Sequence, residues 1–459
     1  MKNRRAMFLL MLVLMLAATA CTPNMGGGAG SNQSEGNIKS GANNGVTGET
    51  DNKKLTIWVF ADPHKRFLEA VNEEFKKTHP DVTVDVNLMD ANAMTDKYMI
   101  LSRSGGDGAP DLFDMEQGQF PNFIRGDVPF EPLDQYLEVD GLKEAMSKGR
   151  QALYTVNNKQ YGIEHAATAS ALYYRKDIFD EAGINVAELK TWDAFTEAAK
   201  KLTGKDKYIF PADSETRTGS DRTYFELLIK QEGGDVVTTD GGIGLDSPEA
   251  IAALKRMHDW KKEGIMDTRY FEGPSFWDRF KNGTYVAAFG PDWWVNLLVD
   301  NVPELSGKWA AVPMPLGGPS SVPTTVMGGT GMMISKFSKN KDLAWEYLKT
   351  AQLTPAMSVK RFEIINLFPA LLTSVNEAGL HETSKYTEYF ADQDLGDLYG
   401  KLVADAPNQN QAWWRPLITQ AWDKHQFDYA EGKLTPEQFL QKVREELERL
   451  IEKEKKVAE

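Results

Sequence analysis

Between Leu55 and Met115 the chain changes its hydrophobic period from strand to helix and back, and this restricts the fold more than any other feature. "LTIWVF" (55–60) sets Leu55, Ile57 and Val59 against Trp58 and Phe60, as in a strand buried on both faces. "DPHKRFLEAVNEEFKKTHP" then places Phe67, Val71 and Phe75 four apart, one apolar stripe of a helix that stops at Pro80. "VTVDV" (82–86) returns to period two, "NAMTDKYMILSRSGG" predicts a helix ending at Gly105, and "APDLFDM" a further strand. This order implies a right-handed parallel α/β unit. Ligands of such sheets gather beyond the carboxyl ends of strands, here "ADPH" (61–64) and "EQGQF" (116–120).

A second α/β pattern follows. "SALYYRKDIFDEAGI" leads to the helix "TWDAFTEAAKKL" with Thr191 as N-cap, then "YIFPAD". "SPEAIAALKRMHDWKKEG" predicts a helix capped by Ser247 with Pro248 at its first position. "SFWDRFKNGTYVAAFGPDWW" reads as helix, strand and turn. "TPEQFLQKVREELERLIEKE" opens with a Thr435–Gln438 capping box and carries Phe439, Val443, Leu447 and Ile451 on one face.

The amino terminus is a processing segment. "MKNRR" is basic, "AMFLLMLVLMLAA" is apolar but too short to span a bilayer, and "ATAC" brings small residues up to Cys21, the single cysteine. Residues 1–21 are expected to be a lipoprotein signal with Cys21 acylated, although Ala18 stands where such signals usually have Leu. Residues 22–52, rich in Gly, Ser and Asn, cannot bury enough surface to fold and are expected to act as a tether. The remaining chain, roughly 405 residues, is too long for one core and suggests two lobes.

Loss of Lys2, Arg4 and Arg5 with the signal takes the formal charge from −14 to −17. That balance disfavours nucleic acid as a partner. The six histidines (64, 79, 165, 258, 381, 425) are scattered, and no H-E-x-x-H, EF-hand, Walker or dinucleotide pattern occurs, so neither metal nor cofactor is expected. A glycosidase needs two carboxyls about 5 to 10 Å apart; Glu116, Glu164 and Asp292 could converge on one cleft, so that alternative stays open.

The aromatic residues are the stronger signal. Trp58, Trp277, Trp293, Trp294, Trp413 and Trp414 fall at expected element ends or in turns. A sugar ring has an apolar C–H face and a belt of hydroxyls, and calls for an aromatic plane with flanking carboxylates and amides. For a single Trp, core packing is the commoner explanation. For the set, with Asp292 before "WW" and "QNQAWWRP" later, a carbohydrate cleft gains ground. Aromatic boxes with carboxylates also suit cations, so a peptide or polyamine is the competing solute.

Five stretches in order resemble the extracellular solute-binding proteins of family 1, the maltose-binding-protein type of receptor for sugar ABC importers. They are the acylation signal; "LTIWVF" with "AVNEEFKKTHPDVTVDV"; "YGIEHAATASALYYRKDIFDEAGI" with "TWDAF"; "FKNGTYVAAFGPDWW"; and "GGTGMMISKFSKNKDLAWEYLK". The resemblance implies an α/β, two-lobed periplasmic-binding-protein fold (type II-like) with the ligand cleft between lobes. Lobe one would be residues 53–166 with 328–372, and lobe two 167–327 with 373–459. It implies crossings near His165–Thr168, Val326–Gly329 and Phe368–Thr373, and first-lobe polar contacts near Asp62, His64, Glu116 and Gln117. Trp58, Trp277, Glu164, His165, Thr168, Gly328 and Gly329 are expected to touch the ligand as well. A platform is expected at Trp294, with Trp293 as its second candidate, and another is implied at Trp413 or Trp414, with Asp292 as a hydroxyl acceptor. The family usually reads "YGIP"; here Glu164 replaces the proline. The expected protein is a monomeric, non-enzymatic receptor, lipid-anchored on the extracytoplasmic face of the cell membrane and serving an ABC permease.

Overall fold

The computed structural model describes residues 53–212 and 221–458. The signal segment, with Cys21, and the whole of the tether lie outside the described residues.

Strands β1 (Lys54–Val59), β2 (Thr83–Leu88) and β3 (Leu112–Glu116) pair in parallel in the order β2-β1-β3, joined by helices Asp62–Phe75 and Ala91–Arg103. Phe67, Val71 and Phe75 are buried, as the helical stripe requires. The Asp90 side chain accepts hydrogen bonds from the Asn92 and Ala93 N–H groups and so starts the second helix. After the small hairpin of β4 (Thr155–Val156) and β5 (Lys159–Gln160) comes β6 (Gly162–Glu164).

A second sheet is built on β7 (Ser170–Arg175), flanked by β8 (Ala287–Pro291) and β9 (Trp309–Val312). Both pairings are antiparallel, so the second unit lacks the parallel sheet of the first. The described part of "YIFPAD", residues 208–212, forms no strand there; it makes single bridges, Tyr208 to Tyr285 and Phe210 to Met266. Strand β10 (Thr330–Ile334) returns to the first sheet and lies antiparallel between β3 and β6. Its register sets Thr330 opposite Glu116 and Gly331 opposite Glu164. Two carboxylates thereby reach one edge of one sheet.

The helix ends follow the sequence closely. Thr191 accepts from Ala194 N and Ser247 from Ala250 N. Thr435 and Gln438 exchange side-chain-to-backbone bonds at the start of the last helix, Pro436–Ala458, whose Phe439, Val443, Leu447 and Ile451 are buried. The stretch after Asp292 departs from the expected turn: Trp293–Asn301 is a helix, with Asp292 as its N-cap accepting from Trp293 N.

Each sheet has its own apolar core. The segments between them run side by side, with Ala166 bridged to Pro369 and Ala169 to Val326.

Candidate functional site

A chamber of about 410 Å³ opens where the ends of both sheets face each other. From the first sheet come Phe60, just past β1, with Pro63 and His64, then Glu116, Glu164 and Thr330. From the other side come Trp293, Asn296 and Leu297 on one helix, Thr223 on another, and Thr168, Met327, Gly328 and Gly329 on the crossing segments. A neighbouring chamber of about 240 Å³ shares Glu116, Thr223, Met327 and Gly328, and adds Gln117, Arg222, Glu226 and Arg415. The larger chamber is mainly apolar and the smaller one is charged.

The charges have identifiable partners. Glu164 Oε2 accepts from Arg150 Nη2 at 2.9 Å, while Oε1 accepts from the Thr330 and His165 N–H groups at 2.8 and 3.1 Å. Burial raises its pKa against the pull of Arg150. Glu116 is raised by burial too, and a bond from Gly118 N at 2.8 Å holds one of its oxygens. Burial also works on Glu226, but Arg415, Arg222 and Lys230 outweigh it and hold the carboxyl down at about 2.

Asp114, behind the chamber wall, accepts from His64 Nδ1 and from His165 Nε2, each at 3.0 Å. Burial opposes its charge, yet the two imidazoles keep its pKa well below the usual carboxylate range. Burial takes His165 down to about 4, so the ring is neutral at pH 7 and Nε2 carries the proton. Sequence spacing had scattered these histidines; the fold unites them. The three side chains bring potential metal-ligand atoms within 4.8 Å of one another. Each carboxylate oxygen is already engaged at hydrogen-bond distance, so the arrangement fits a network that fixes the His64 ring against the chamber.

The tryptophans separate. Trp293 lines the chamber, half-buried. Trp294 is 0% exposed and packs edge-on against Trp277 and Phe280, so the platform expected there is a core anchor. Trp277, 6% exposed, belongs to the same core. Trp58 is buried in the core of the first sheet beneath Lys97. Trp414 is buried, with Nε1 donating to Gly241 O. Trp413 is half-buried, and the Arg125 guanidinium covers its ring at 4.6 Å. Asp292 is also corrected: fully buried, its oxygens accept from Trp293 N and Phe368 N, which leaves no role as a hydroxyl acceptor in the chamber. Asp62 is exposed and pairs with Arg66. Gln117 lies in the smaller chamber and accepts from Gln411 Nε2.

Phe60, Thr223, Leu297, Arg222 and Arg415 also line the walls and were not singled out from sequence, whereas Met327 falls within the expected crossing Val326–Gly329. The positions of Phe60, one residue past a strand, and Arg415, directly after "WW", were the available signals.

A family model described as bacterial extracellular solute-binding protein matches residues 61–357. An arabinooligosaccharide-binding protein of Halalkalibacterium halodurans is 26% identical over 411 residues, 86% of this chain and 89% of that protein. One from Bacillus subtilis is 27% identical over 355 residues, 75% and 79% of the two chains. Among solved structures, an ABC transporter associated binding protein from B. animalis subsp. lactis, in complex with β-1,6-galactobiose, superposes with a TM-score of 0.71 at 22% identity. That match covers 88% of this chain and 98% of the other. Maltose-bound MalE3 of T. maritima gives 0.69 at 20% identity, over 86% and 99%.

Proposed function

The chain belongs to the bacterial extracellular solute-binding protein family, and from that premise we propose that it captures an oligosaccharide between two lobes and delivers it to an ABC permease. The observation that carries this reading is the pairing of the two chambers. One presents Phe60 and Trp293 among aliphatic walls, and the next presents Glu116, Arg222 and Arg415. A sugar offers the matching surfaces, a C–H face and a rim of hydroxyls that both donate and accept. A buried Trp contributes 150–250 Å², so at ~25 cal/mol/Å² one ring supplies several kcal/mol. Micromolar binding corresponds to about −8 kcal/mol. Aromatic contact plus charged hydrogen bonds is enough.

The lobes are residues 53–166 with 328–372 and 167–327 with 373–459, a division supported by the bridges Ala166–Pro369 and Ala169–Val326. The relatives named for arabinooligosaccharides make that ligand class the first choice here. Bond cleavage is not part of this reading, since Glu164 and Asp292 commit their oxygens to backbone and guanidinium donors. The receptor acts as a monomer held to the membrane by an acyl chain on Cys21; fatty-acid labelling lost in Cys21→Ala tests the anchor.

Melting curves with arabinotriose, galactobiose, maltotriose and spermidine test the function, because a ligand that binds only the folded state raises Tm. A rise with one of the saccharides is expected. A rise with spermidine alone overturns the reading.

A further inference from the structure

Left-handed backbone occurs in or beside each of the three crossing segments: Thr168 at φ 54°, Gly328 and Gly329 at 67° and 120°, and Asn366, two residues before Phe368, at 49°. Glycine and asparagine adopt it readily. At Gly329 only glycine fits, because a Cβ would stand 2.1 Å from Arg150 Nη2. Thr168 is the exception. A positive φ is an outlier for a β-branched side chain, and no other β-branched residue has one among the described residues. The neighbours impose it. Ala166 bridges to Pro369 and Ala167 N donates to Phe368 O, whereas Ala169 bridges to Val326 and Ser170 N donates to Thr325 O. The segment changes partner at residue 168, and the kink makes the change.

Thr168 carries a second cost. It is 1% exposed and lines the larger chamber, yet its Oγ1 has no hydrogen-bond partner in the protein. A buried unpaired hydroxyl is unfavourable, and backbone strain is found together with ligand clamps. β-Branching also restricts χ1, so the hydroxyl is less free to turn back to a nearby carbonyl.

We propose that Thr168 is a ligand-positioning residue: the kinked crossing holds its hydroxyl unpaired at the chamber wall, and a hydroxyl of the bound saccharide completes it. This rests on the carbohydrate reading above. The missing partner makes the Thr168 hydroxyl costly in the empty receptor, and a ligand hydroxyl removes that cost; the backbone strain is the cost of holding it in place.

The test compares Thr168→Val, Thr168→Ser and Thr168→Gly by ligand-free melting and by calorimetry with arabinotriose, galactobiose and maltotriose. For the saccharide that wild type binds, Thr168→Val is expected to lose about tenfold or more in affinity while melting no lower than wild type. Thr168→Ser keeps the hydroxyl and stays within about threefold. Thr168→Gly is expected to lose affinity like the valine variant but to melt a few degrees higher, as strain is released. Wild-type affinity in Thr168→Val overturns the hydroxyl contact, and a lower melting point in Thr168→Gly overturns the strain. If wild type binds none of the saccharides, the carbohydrate reading fails and the ligand contact with it, while the melting of Thr168→Gly still decides the strain.

Discussion

Arg150 Nη2 stands 2.9 Å from Glu164 Oε2 and donates also to Gly328 O at 3.0 Å, with both side chains more than nine-tenths buried. The guanidinium thus ties the end of β6 to the segment that leads into β10. Glu164, where the family usually has proline, is half of an ion pair within the crossing. Removing one member of a buried pair leaves the other without its countercharge, at a cost of about 3–5 kcal/mol. Arg150→Met is therefore expected to destabilise the protein by that order in urea denaturation. Adding Glu164→Gln should restore part of the loss. If the double variant is no more stable than Arg150→Met, the pair does not act as a unit.

Asp292 supplies a pH dependence. Burial pushes its carboxyl up to about 7, against the two N–H groups that favour the charged form. The folded state therefore holds this proton more tightly than the unfolded chain does. The contribution to stability is complete below about pH 4 and is lost as pH rises towards 7, at up to about 1.4 kcal/mol per pH unit. Asp292→Asn cannot titrate. Its stability should be lower at acid pH, where it loses an acceptor for Phe368 N or Trp293 N, but flatter between pH 4 and 7 by that slope. Parallel wild-type and variant curves in denaturant titrations at several pH values would place the proton elsewhere.

Arg125 joins segments far apart in the chain. Its guanidinium covers Trp413 at 4.6 Å and Nη2 meets Glu454 Oε2 at 3.1 Å. On the proposed division these contacts cross between lobes and favour the closed form. Exposed ion pairs and cation–π contacts are each worth about 1 kcal/mol or less. Arg125→Ala should accordingly weaken ligand binding about threefold to tenfold and reduce its salt dependence. Calorimetry at two salt concentrations checks this; an unchanged affinity at both would remove the contact from closure.

Much of the first sheet was legible because parallel strands and amphipathic helices leave a local record, as in β1 and the Phe67–Val71–Phe75 stripe. The caps at Thr191, Ser247 and Thr435 depend on neighbours within a few residues, and the sequence holds all of them. Other features depend on pairing across the chain. The insertion of β10 between β3 and β6 aligns residues some 170 to 220 positions apart, and no local pattern records it. The same is true of the charged chamber, where Glu116 meets Arg222 and Arg415 only through tertiary folding. "WWVNLLVDN" has too few polar residues to define an outer face, so only "GPDWW" was legible there, and it reads as a turn.

The two adjacent tryptophans supply the last prediction. As helix neighbours, Trp293 and Trp294 project about 100° apart, not on opposite sides as in a strand. One reaches the chamber while the other enters the core. Trp294 is surrounded by Trp277, Phe280 and Val295, and a Cβ on Gly290 would stand 2.7 Å from its ring. Trp294→Ala should lose about 3–5 kcal/mol of stability in denaturant while the folded fraction keeps most of its affinity. Trp293→Ala should do the reverse: a smaller loss of stability, because the ring is only half-buried, and a saccharide affinity at least about tenfold weaker. Its apolar face is the largest that the helix Trp293–Asn301 offers the chamber, beside Leu297 and Asn296. Trp293→Phe separates shape from stacking area and should recover part of the affinity. If Trp293→Ala binds as wild type does, the ring is part of the wall and does not stack on the sugar, and Phe60 becomes the remaining aromatic surface of the larger chamber.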